Sequence, residues 1–345
     1  MDPLDHKIKN GIDFTDRDLL TRFTPALMVT PDLTDRVVAN LSDTLSEYKF
    51  DHYLKYPALH KSDWIDYLVI RFKQLLDDDE WFFLYNPDDN VPHLVGCRIS
   101  KWDYELFGVR MASIAVFSCG DSVRSGKILS DILDGCLALL RDQKVEFVSC
   151  RTGGDNIPAI HAFESCGFHY YENNIWPVID CHDVADTRSS RVRLMTDSDF
   201  EQVIDIAKTS SFQQSHYHCD EKLDNSRADL VLAKYVESAR SRNEPIAVIE
   251  SNGTVAGFFA FKIDEQLSGA LGYKYGRMKN LAMSKSCREK GLGSELFTGT
   301  TSLMKEMGAE QIDSGYSSKN HVSAKLHTQH GMHSVYEEAT FHLWL

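Results

Sequence analysis

Residues 279–297 read KNLAMSKSCREKGLGSELF, and this stretch decides the fold of the second half of the chain. An apolar strand runs into a basic turn with two glycines, and the turn opens directly into a helix. Gly291 and Gly293 lack a Cβ and can adopt positive φ, so successive backbone N–H groups can point at one oxyanion, with the positive end of the helix dipole behind them. Full positive charges are added by Lys285, Arg288 and Lys290. The stretch predicts a site for a phosphate-bearing ligand; the ordinary alternative is a glycine turn at a helix start.

A second motif lies downstream, where residues 320–332 read NHVSAKLHTQHGM. It begins with Asn320, has a small residue at +3 and His327 at +7, and continues with Gly331 at +11 and an apolar residue at +12. The spacing predicts a short helix that ends at a glycine and leads into a last strand, with the +3 and +7 side chains on one face. A side chain able to carry a proton therefore occupies +7. The alternative is a histidine on a solvated helix face, which is what we expect for His321 and His330.

Together the two motifs resemble those of the GNAT superfamily of acyl-CoA-dependent N-acyltransferases. In that family the glycine turn holds the CoA pyrophosphate, the strand before it pairs with the pantetheine arm, and a Tyr at +7 protonates the leaving thiolate. The resemblance implies a mixed α/β fold with a central, mostly antiparallel, twisted sheet flanked by helices. It also implies contacts with acyl-CoA, without a metal, for Leu281, Ala282, Met283, Arg288, Lys290, Gly291, Leu292, Gly293, Ser294 and Asn320.

The chain departs from the family by placing His327 where Tyr is usual. By the resemblance, His327 is the expected general acid and Asn320 the residue that orients the pantetheine arm. An unperturbed histidine titrates near pH ~6.5, so a useful fraction would be imidazolium at neutral pH. Backbone N–H groups at Leu281 to Met283 are expected to stabilise the developing oxyanion. The residues do not assign a general base.

The second motif has an echo in the first half of the chain, where residues 156–168 read NIPAIHAFESCGF. Its Asn, Ala, aromatic, Gly and Phe match the downstream motif position by position. However, Phe163 at +7 has no transferable proton, and the turn SCGDS at 118–122 offers one glycine and an acid in place of two glycines and a base. We predict two tandem GNAT-like domains: a degenerate one at 1–188 that does not bind CoA, and a catalytic one at 189–345, with a linker around 180–190.

Periodicity places elements around these motifs. It predicts helices over 37–50, 64–76, 125–141 and 227–242, and strands at 80–85, 93–100, 111–117, 146–150 and 192–195. Thr196 or Asp197 should cap a further helix that runs to about Lys208. The Asn252-Gly253 pair predicts a tight hairpin between strands at 245–250 and 255–262.

Composition limits the possible partners. The formal net charge of -14 argues against nucleic acid or an anionic membrane surface. The eight cysteines show no C-x-x-C and no metal-ligand spacing, and the start of the chain has no apolar signal segment. We therefore expect a reduced, cytoplasmic protein without a metal, which could form a homodimer.

The acceptor is suggested by residues 212–220, FQQSHYHCD. They resemble the acceptor loop of the dTDP-amino-sugar N-acyltransferases within the GNAT superfamily, of the dTDP-fucosamine acetyltransferase type. A sugar suits flat aromatic surface and several hydrogen-bond donors, which Phe212, His216, Tyr217 and His218 offer. The resemblance implies transfer of an acetyl or 3-hydroxybutanoyl group to a dTDP-linked amino-dideoxysugar, as in the biosynthesis of cell-surface polysaccharides such as O-antigen. The alternatives are an ordinary solvated loop, another amine acceptor such as a peptide N-terminus or an antibiotic, and a non-catalytic acyl-CoA-binding protein.

Overall fold

The computed structural model of the protein describes residues 27–29, 33–39, 60–86, 93–120, 122–184, 189–288 and 291–345. These residues form two compact units, one comprising the described residues up to Tyr171 together with Glu338–Leu345, the other Glu172–Glu337. The linker composition predicted a division near residue 188, whereas the contacts divide the chain between Tyr171 and Glu172. Part of that linker, residues 185–188, lies outside the described residues. Among the described residues, no helix is long and apolar enough to cross a bilayer.

The first unit is a mixed α/β sheet with helices. Its strands are β1 (Leu27–Met28), β2 (Trp81–Asn86), β3 (His93–Ser100), β4 (Met111–Ser118), β5 (Phe147–Gly153) and the start of β6 (His169–Asp180). Its helices are α1 (Lys61–Leu76), α2 (Lys101–Phe107), α3 (Val123–Asp142) and α4 (Ile157–Ser165). Neighbours from β1 to β4 are antiparallel, and β4 and β5 are parallel. The predicted strands and the helices at 64–76 and 125–141 are confirmed; of the helix predicted at 37–50, residues 40–50 lie outside the described residues.

The second unit repeats this plan. Its further strands are β7 (Val192–Leu194), β8 (Ile246–Ser251), β9 (Thr254–Ile263), β10 (Tyr275–Met283), β11 (Gln311–Asp313), β12 (Tyr316–Ser317) and the start of β13 (His333–Trp344). Its helices are α5 (Phe200–Thr209), α6 (His216–Cys219), α7 (Asn225–Ala228), α8 (Val231–Ser241), α9 (Glu265–Leu271), α10 (Leu292–Glu306) and α11 (His321–Gln329). The sheet runs β6-β11-β10-β9-β8-β7 and is antiparallel except between β10 and β11.

Local sequence signals explain the edges of several elements. Asn252 and Gly253 both adopt positive φ, 54° and 79°, as the tight hairpin between β8 and β9 requires. Thr196 and Asp199 form a reciprocal capping box ahead of α5, which decides between the two predicted caps in favour of Thr196. The prediction of a single helix at 227–242 was wrong, because the structure has two helices there, α7 and α8.

The echo between the two halves is structural as well as sequential. Asn156 and Asn320 cap helices of equal length, and each side-chain oxygen accepts the backbone N–H three residues on, at 3.2 and 3.0 Å. Both helices are followed by a glycine at positive φ, Gly167 and Gly331. The mixed, mostly antiparallel α/β fold predicted from the resemblance is confirmed.

Each sheet is completed by a strand that the order of the chain does not suggest. In the first unit, the end of β13 pairs with β5, with Phe341 opposite Cys150. In the second unit, the end of β6 pairs with β11, with Ile179 opposite Ile312. The apolar side chains of these segments join the core of the unit in which they pair, Phe341 in the first and Ile179 in the second.

Candidate active site

The end of β10 is the first component of the site. Parallel pairing with β11 covers Tyr275–Arg277 and stops there, and the register with β9 shifts between Met278 and Leu281. Among the strands that the structure describes, only β9 pairs with β10 at Leu281–Met283. In the first unit the matching parallel pair, β4 with β5, stays together from Met111 to Ala115. The strands of the second unit thus part earlier, and β10 keeps one edge unpaired where it approaches the glycine turn.

The N-terminus of α10 is the second component. Gly291 stands before the helix at φ 75° and ψ -8°, and among the described residues no side chain caps the first turn. A Cβ at Gly291 would meet nothing within 4 Å. The backbone of Arg288 is extended, and the side chains of Arg288 and Lys285 are exposed. Glu289 and Lys290 lie outside the described residues. Uncapped N–H groups beside positive side chains can bind an anionic group such as a phosphate.

An acid in this turn is neutralised within the protein. Glu295 lies in the first turn of α10 and accepts hydrogen bonds from Arg191, with Nε to Oε1 at 3.0 Å, and from the hydroxyl of Ser189. The ion pair offsets the repulsion that this carboxylate would exert on an anion at the helix N-terminus.

The corresponding helix of the first unit is closed by its own side chain. Ser122 caps α3, and its hydroxyl accepts the backbone N–H of Ser125 at 3.1 Å. Asp121, the acid that the sequence placed in this turn, lies outside the described residues. An internal acceptor thus occupies a donor that remains available at α10.

Several predicted ligand residues can act only through their backbone. Ala282 and Leu292 are buried in the core, on opposite sides of the sheet. Leu281 and Met283 are partly buried and pack on the same core as α10. The carbonyl of Met283 accepts a hydrogen bond from Ser210 Oγ at 2.9 Å. Asn320 uses its side-chain oxygen to cap α11.

His327 lies inside the second unit and is only 4% exposed. Its Nδ1 is 2.7 Å from the backbone carbonyl of Ser323, which can only accept, so Nδ1 carries the proton. Its Nε2 is 2.8 Å from Ser314 Oγ, and in the neutral ring this nitrogen accepts from that hydroxyl. Burial lowers the pKa of His327 below its usual value, more than the bond to Ser323 raises it. The imidazolium fraction at neutral pH is therefore smaller than that of an unperturbed histidine.

The environment of His330 also differs from the one that the sequence predicted. It is half-buried, stacks on Phe297 with ring centroids 4.8 Å apart, and bonds through Nε2 to Ser294 Oγ at 2.8 Å. Burial lowers its pKa too. The expectation of a solvated histidine was therefore wrong. His330 fixes the side chain of Ser294, one of the residues expected at the acyl-CoA site.

The four predicted acceptor residues lie together in one segment of the second unit. His216 is buried, and its ring lies against Tyr217 with centroids 3.9 Å apart. Phe212 is half-buried, and the side chain of His218 is 3% exposed. The alternative of an ordinary solvated loop does not fit the buried rings of His216 and His218.

Contacts tie this acceptor segment, residues 210–220, to both motifs. At its start, Ser210 bonds to the carbonyl of Met283 at the end of β10. Near its end, Cys219 Sγ is 3.3 Å from Nζ of Lys319, the residue before Asn320. Sequence reasoning missed Ser210, Ser314 and Lys319, because none belongs to a recognisable motif. No local signal pointed to them.

A metal has little support here. Among the described residues, Asp180, His182 and Asp183 form the one group able to bring three ligand atoms within 4.8 Å of each other. His182 and Asp183 are exposed, and Asp180 accepts a hydrogen bond from Gln311. We assign no role to this group.

The fold and the site define a mixed α/β protein whose second unit has a glycine turn, without a side-chain cap, at the N-terminus of α10. Comparison with known proteins gives a family match for part of the chain. A family model described as the acetyltransferase (GNAT) family matches residues 202–332. Among curated protein sequences, none is significantly similar to the chain.

Solved structures share the fold at low sequence identity. A GCN5-related N-acetyltransferase from Sphaerobacter thermophilus superposes with a TM-score of 0.62 at 11% identity, over 92% of this chain and 95% of that one. The GCN5-related glucosamine N-acetyltransferase region of a fungal multi-domain GH3 β-N-acetylglucosaminidase gives 0.60 at 14% identity, over 93% of this chain and 38% of that one. A tandem GNAT protein from the clavulanic acid biosynthesis pathway gives 0.53 at 12%, over 92% and 98%.

Residues 202–332 thus form a GNAT acetyltransferase domain, and by this match the protein is an acyl-CoA-dependent N-acyltransferase. The alternative of a non-catalytic acyl-CoA-binding protein is disfavoured by this family match. A helix start without a side-chain cap leaves backbone N–H donors that an anionic group can use.

Proposed function

We propose that the protein transfers an acyl group, acetyl or 3-hydroxybutanoyl, from acyl-CoA to the amino group of a dTDP-linked amino-dideoxysugar. The observation that carries the proposal is the link between the acceptor segment and β10, made by Ser210 and Met283. An acceptor held on this segment would stand beside the strand end where the thioester would lie. The ring pair of His216 and Tyr217 offers the flat surface and polar edges that suit a sugar.

In this proposal the second unit alone binds acyl-CoA. The pyrophosphate binds the backbone N–H groups of Leu292, Gly293 and Ser294. Arg288 and Lys290 supply positive charge for it. The unpaired edge of β10 binds the pantetheine arm, which Asn320 helps to orient. Backbone N–H groups of Leu281–Met283 stabilise the oxyanion that forms when the amine attacks. The first unit binds no CoA, because Ser122 closes its helix.

The departing thiolate needs a proton, and His327 is the proposed source. Only its imidazolium form can give one, with Nε2–H donating to Ser314 Oγ and the Ser314 hydroxyl donating to sulfur. A lowered pKa makes this form scarce but strongly acidic.

A specific observation favours a second donor. Tyr316 lies against His327 with ring centroids 4.8 Å apart and is half-buried, whereas His327 is almost fully enclosed. A phenol normally keeps its proton at neutral pH. Comparing Tyr316→Phe with His327→Phe separates the two donors, since the variant that loses turnover while keeping acyl-CoA affinity marks the acid.

The test is a product assay. Purified full-length protein is incubated with acetyl-CoA or 3-hydroxybutanoyl-CoA and a panel of acceptors: dTDP-amino sugars, peptides with free N-termini, and aminoglycoside antibiotics. Thiol release is measured and products are identified by mass spectrometry. We expect an amide of a dTDP-amino sugar. A peptide or antibiotic amide without the sugar product would establish the other acceptor class and refute this proposal.

A further inference from the structure

The acceptor segment contains a Ser–His–Asp chain that the fold brings together. His218 lies between Ser215 and Asp229, with Nδ1 2.7 Å from Ser215 Oγ and Nε2 3.1 Å from Asp229 Oδ1. Asp229 comes from the turn after α7, and α6 and α7 pack together. The His218 side chain is almost fully buried, so its ring is held in one orientation.

Elementary chemistry fixes the direction of these bonds. Burial raises the pKa of Asp229, but hydrogen bonds from Gln213, His218 and Ser211 outweigh this and hold it below the usual range. An ionised carboxylate only accepts, so His218 Nε2 carries the proton and donates it to Asp229. In the neutral ring Nδ1 is then an acceptor, and the Ser215 hydroxyl donates to it. The chain therefore points from serine through histidine to a carboxylate, which is the polarity of a proton acceptor.

Ser215 is the member that a ligand can reach. It is half-buried and stands just before α6, and its side chain makes no capping bond to that helix. It belongs to the same segment as Ser210, which bonds to the end of β10.

We propose that Ser215, His218 and Asp229 form the general-base relay that removes the proton of the acceptor amine; this rests on the proposed function of the same site. Ser215 is the catalytic residue that touches the amine. His218 accepts the proton of Ser215, and Asp229 orients the His218 ring and pairs with its imidazolium form. As the amine nitrogen bonds to the thioester carbon, its N–H proton passes to Ser215 Oγ, and the Ser215 proton passes to His218 Nδ1. The imidazolium is paired with Asp229. The carbon–sulfur bond then breaks, and the thiolate leaves to be protonated separately.

The central variant is Asp229→Asn, which keeps the shape but removes the charge. We expect kcat/KM for the amine to fall by about 10²–10⁴, the usual range for general-base assistance, with acyl-CoA affinity unchanged. The loss should appear in kcat with the amine, while KM for acyl-CoA stays at the wild-type value. A purely structural role would change both.

The matched control is Asp224→Asn, at the start of the same short helix. Asp224 caps α7 and is exposed, and Asn is an equally good cap, so the rate should stay as in the wild type. Asp220 at the end of α6, and Lys319, whose Nζ lies 3.3 Å from Cys219 Sγ, are the same in both variants. Ser215→Ala should reproduce the rate loss, and Ser215→Thr should restore part of it.

The protonation site of His218 can be measured without an acceptor, so failure of the relay can be distinguished from failure of the sugar assignment. In protein with ¹⁵N-labelled histidine, NMR should show neutral His218 protonated at Nε2; a ring protonated at Nδ1 overturns the relay whatever the substrate. If the wild type acylates a different amine, the kinetic test runs on that amine, and only the sugar assignment fails. If Asp229→Asn transfers as fast as the wild type, the relay is wrong while the proposed acyltransfer stands.

Discussion

Gly293 offers a sharp test of the acyl-CoA site, because the structure separates the effect of size from the effect of charge. It is the second residue of α10, and an added Cβ would meet Met283 Cγ at 3.6 Å, an ordinary van der Waals distance. Gly293→Ala should therefore fold and, by replacing glycine in a helix, gain up to about 1 kcal/mol of stability. Gly293→Asp shares this Cβ position and extends beyond it with a carboxylate, whose negative charge a helix N-terminus itself favours by about 0.3–1 kcal/mol.

The two variants should differ in ligand affinity. A carboxylate about 5 Å from a unit charge of the pyrophosphate is repelled by about 3 kcal/mol at an effective dielectric constant of about 20. This corresponds to a loss of about two orders of magnitude in CoA affinity. We expect Gly293→Asp to lose that much in calorimetry of the full-length protein, with thermal stability equal to or above that of the wild type. Gly293→Ala should retain most of the affinity.

Two results would refute the reasoning. Equal affinity in Gly293→Asp and the wild type would mean that the pyrophosphate does not lie at α10. Equal loss in the alanine and aspartate variants would mean that bulk, not charge, decides binding. The stability measurement excludes misfolding as the cause of any loss.

Further predictions follow from the same site. His327→Phe places at this position the residue type of Phe163 in the first unit. Because burial lowers the pKa of His327, the free energy of unfolding of the wild type falls as the pH drops from about 7 through the unfolded value of about 6.5. The stability of the variant should therefore depend less on acid between pH 7 and 5, and an unchanged dependence would contradict the buried neutral ring. Tyr217→Ala should raise KM for the acceptor and leave KM for acyl-CoA unchanged, with the reverse pattern in steady-state kinetics counting against the acceptor segment. Calorimetry of the wild type should give one CoA per chain, and two would show that Ser122 does not close the first unit.

Much of the fold could be predicted from the sequence, because its signals are local. Asn320 and Asn156 cap their helices through a side-chain oxygen that reaches only three residues ahead. Gly291 and the Asn252-Gly253 pair mark backbone that needs positive φ. Apolar periodicity acts within a single helix or strand, so the order of elements and the glycine turn before α10 were readable. The repeat of these signals in both halves predicted a tandem architecture.

The sequence could not show which partners meet from distant parts of the chain. Ser210 bonds to a carbonyl 73 residues away, and Ser314 reaches His327 from outside the motif. Nor could it show that burial lowers the pKa of His327, since desolvation depends on what packs around the ring.

The sequence alone thus determined many of the strands and helices of this protein, the glycine turn before α10 and the position of a proton carrier at +7, because capping, periodicity and glycine backbone freedom act over a few residues. Tertiary structure decided that β13 completes the first sheet and β6 the second, since any amphipathic strand can pair with either edge until long-range burial selects one. It also brought Ser215, His218 and Asp229 into one chain of hydrogen bonds, because only the packing of α6 against α7 places the carboxylate on the imidazole.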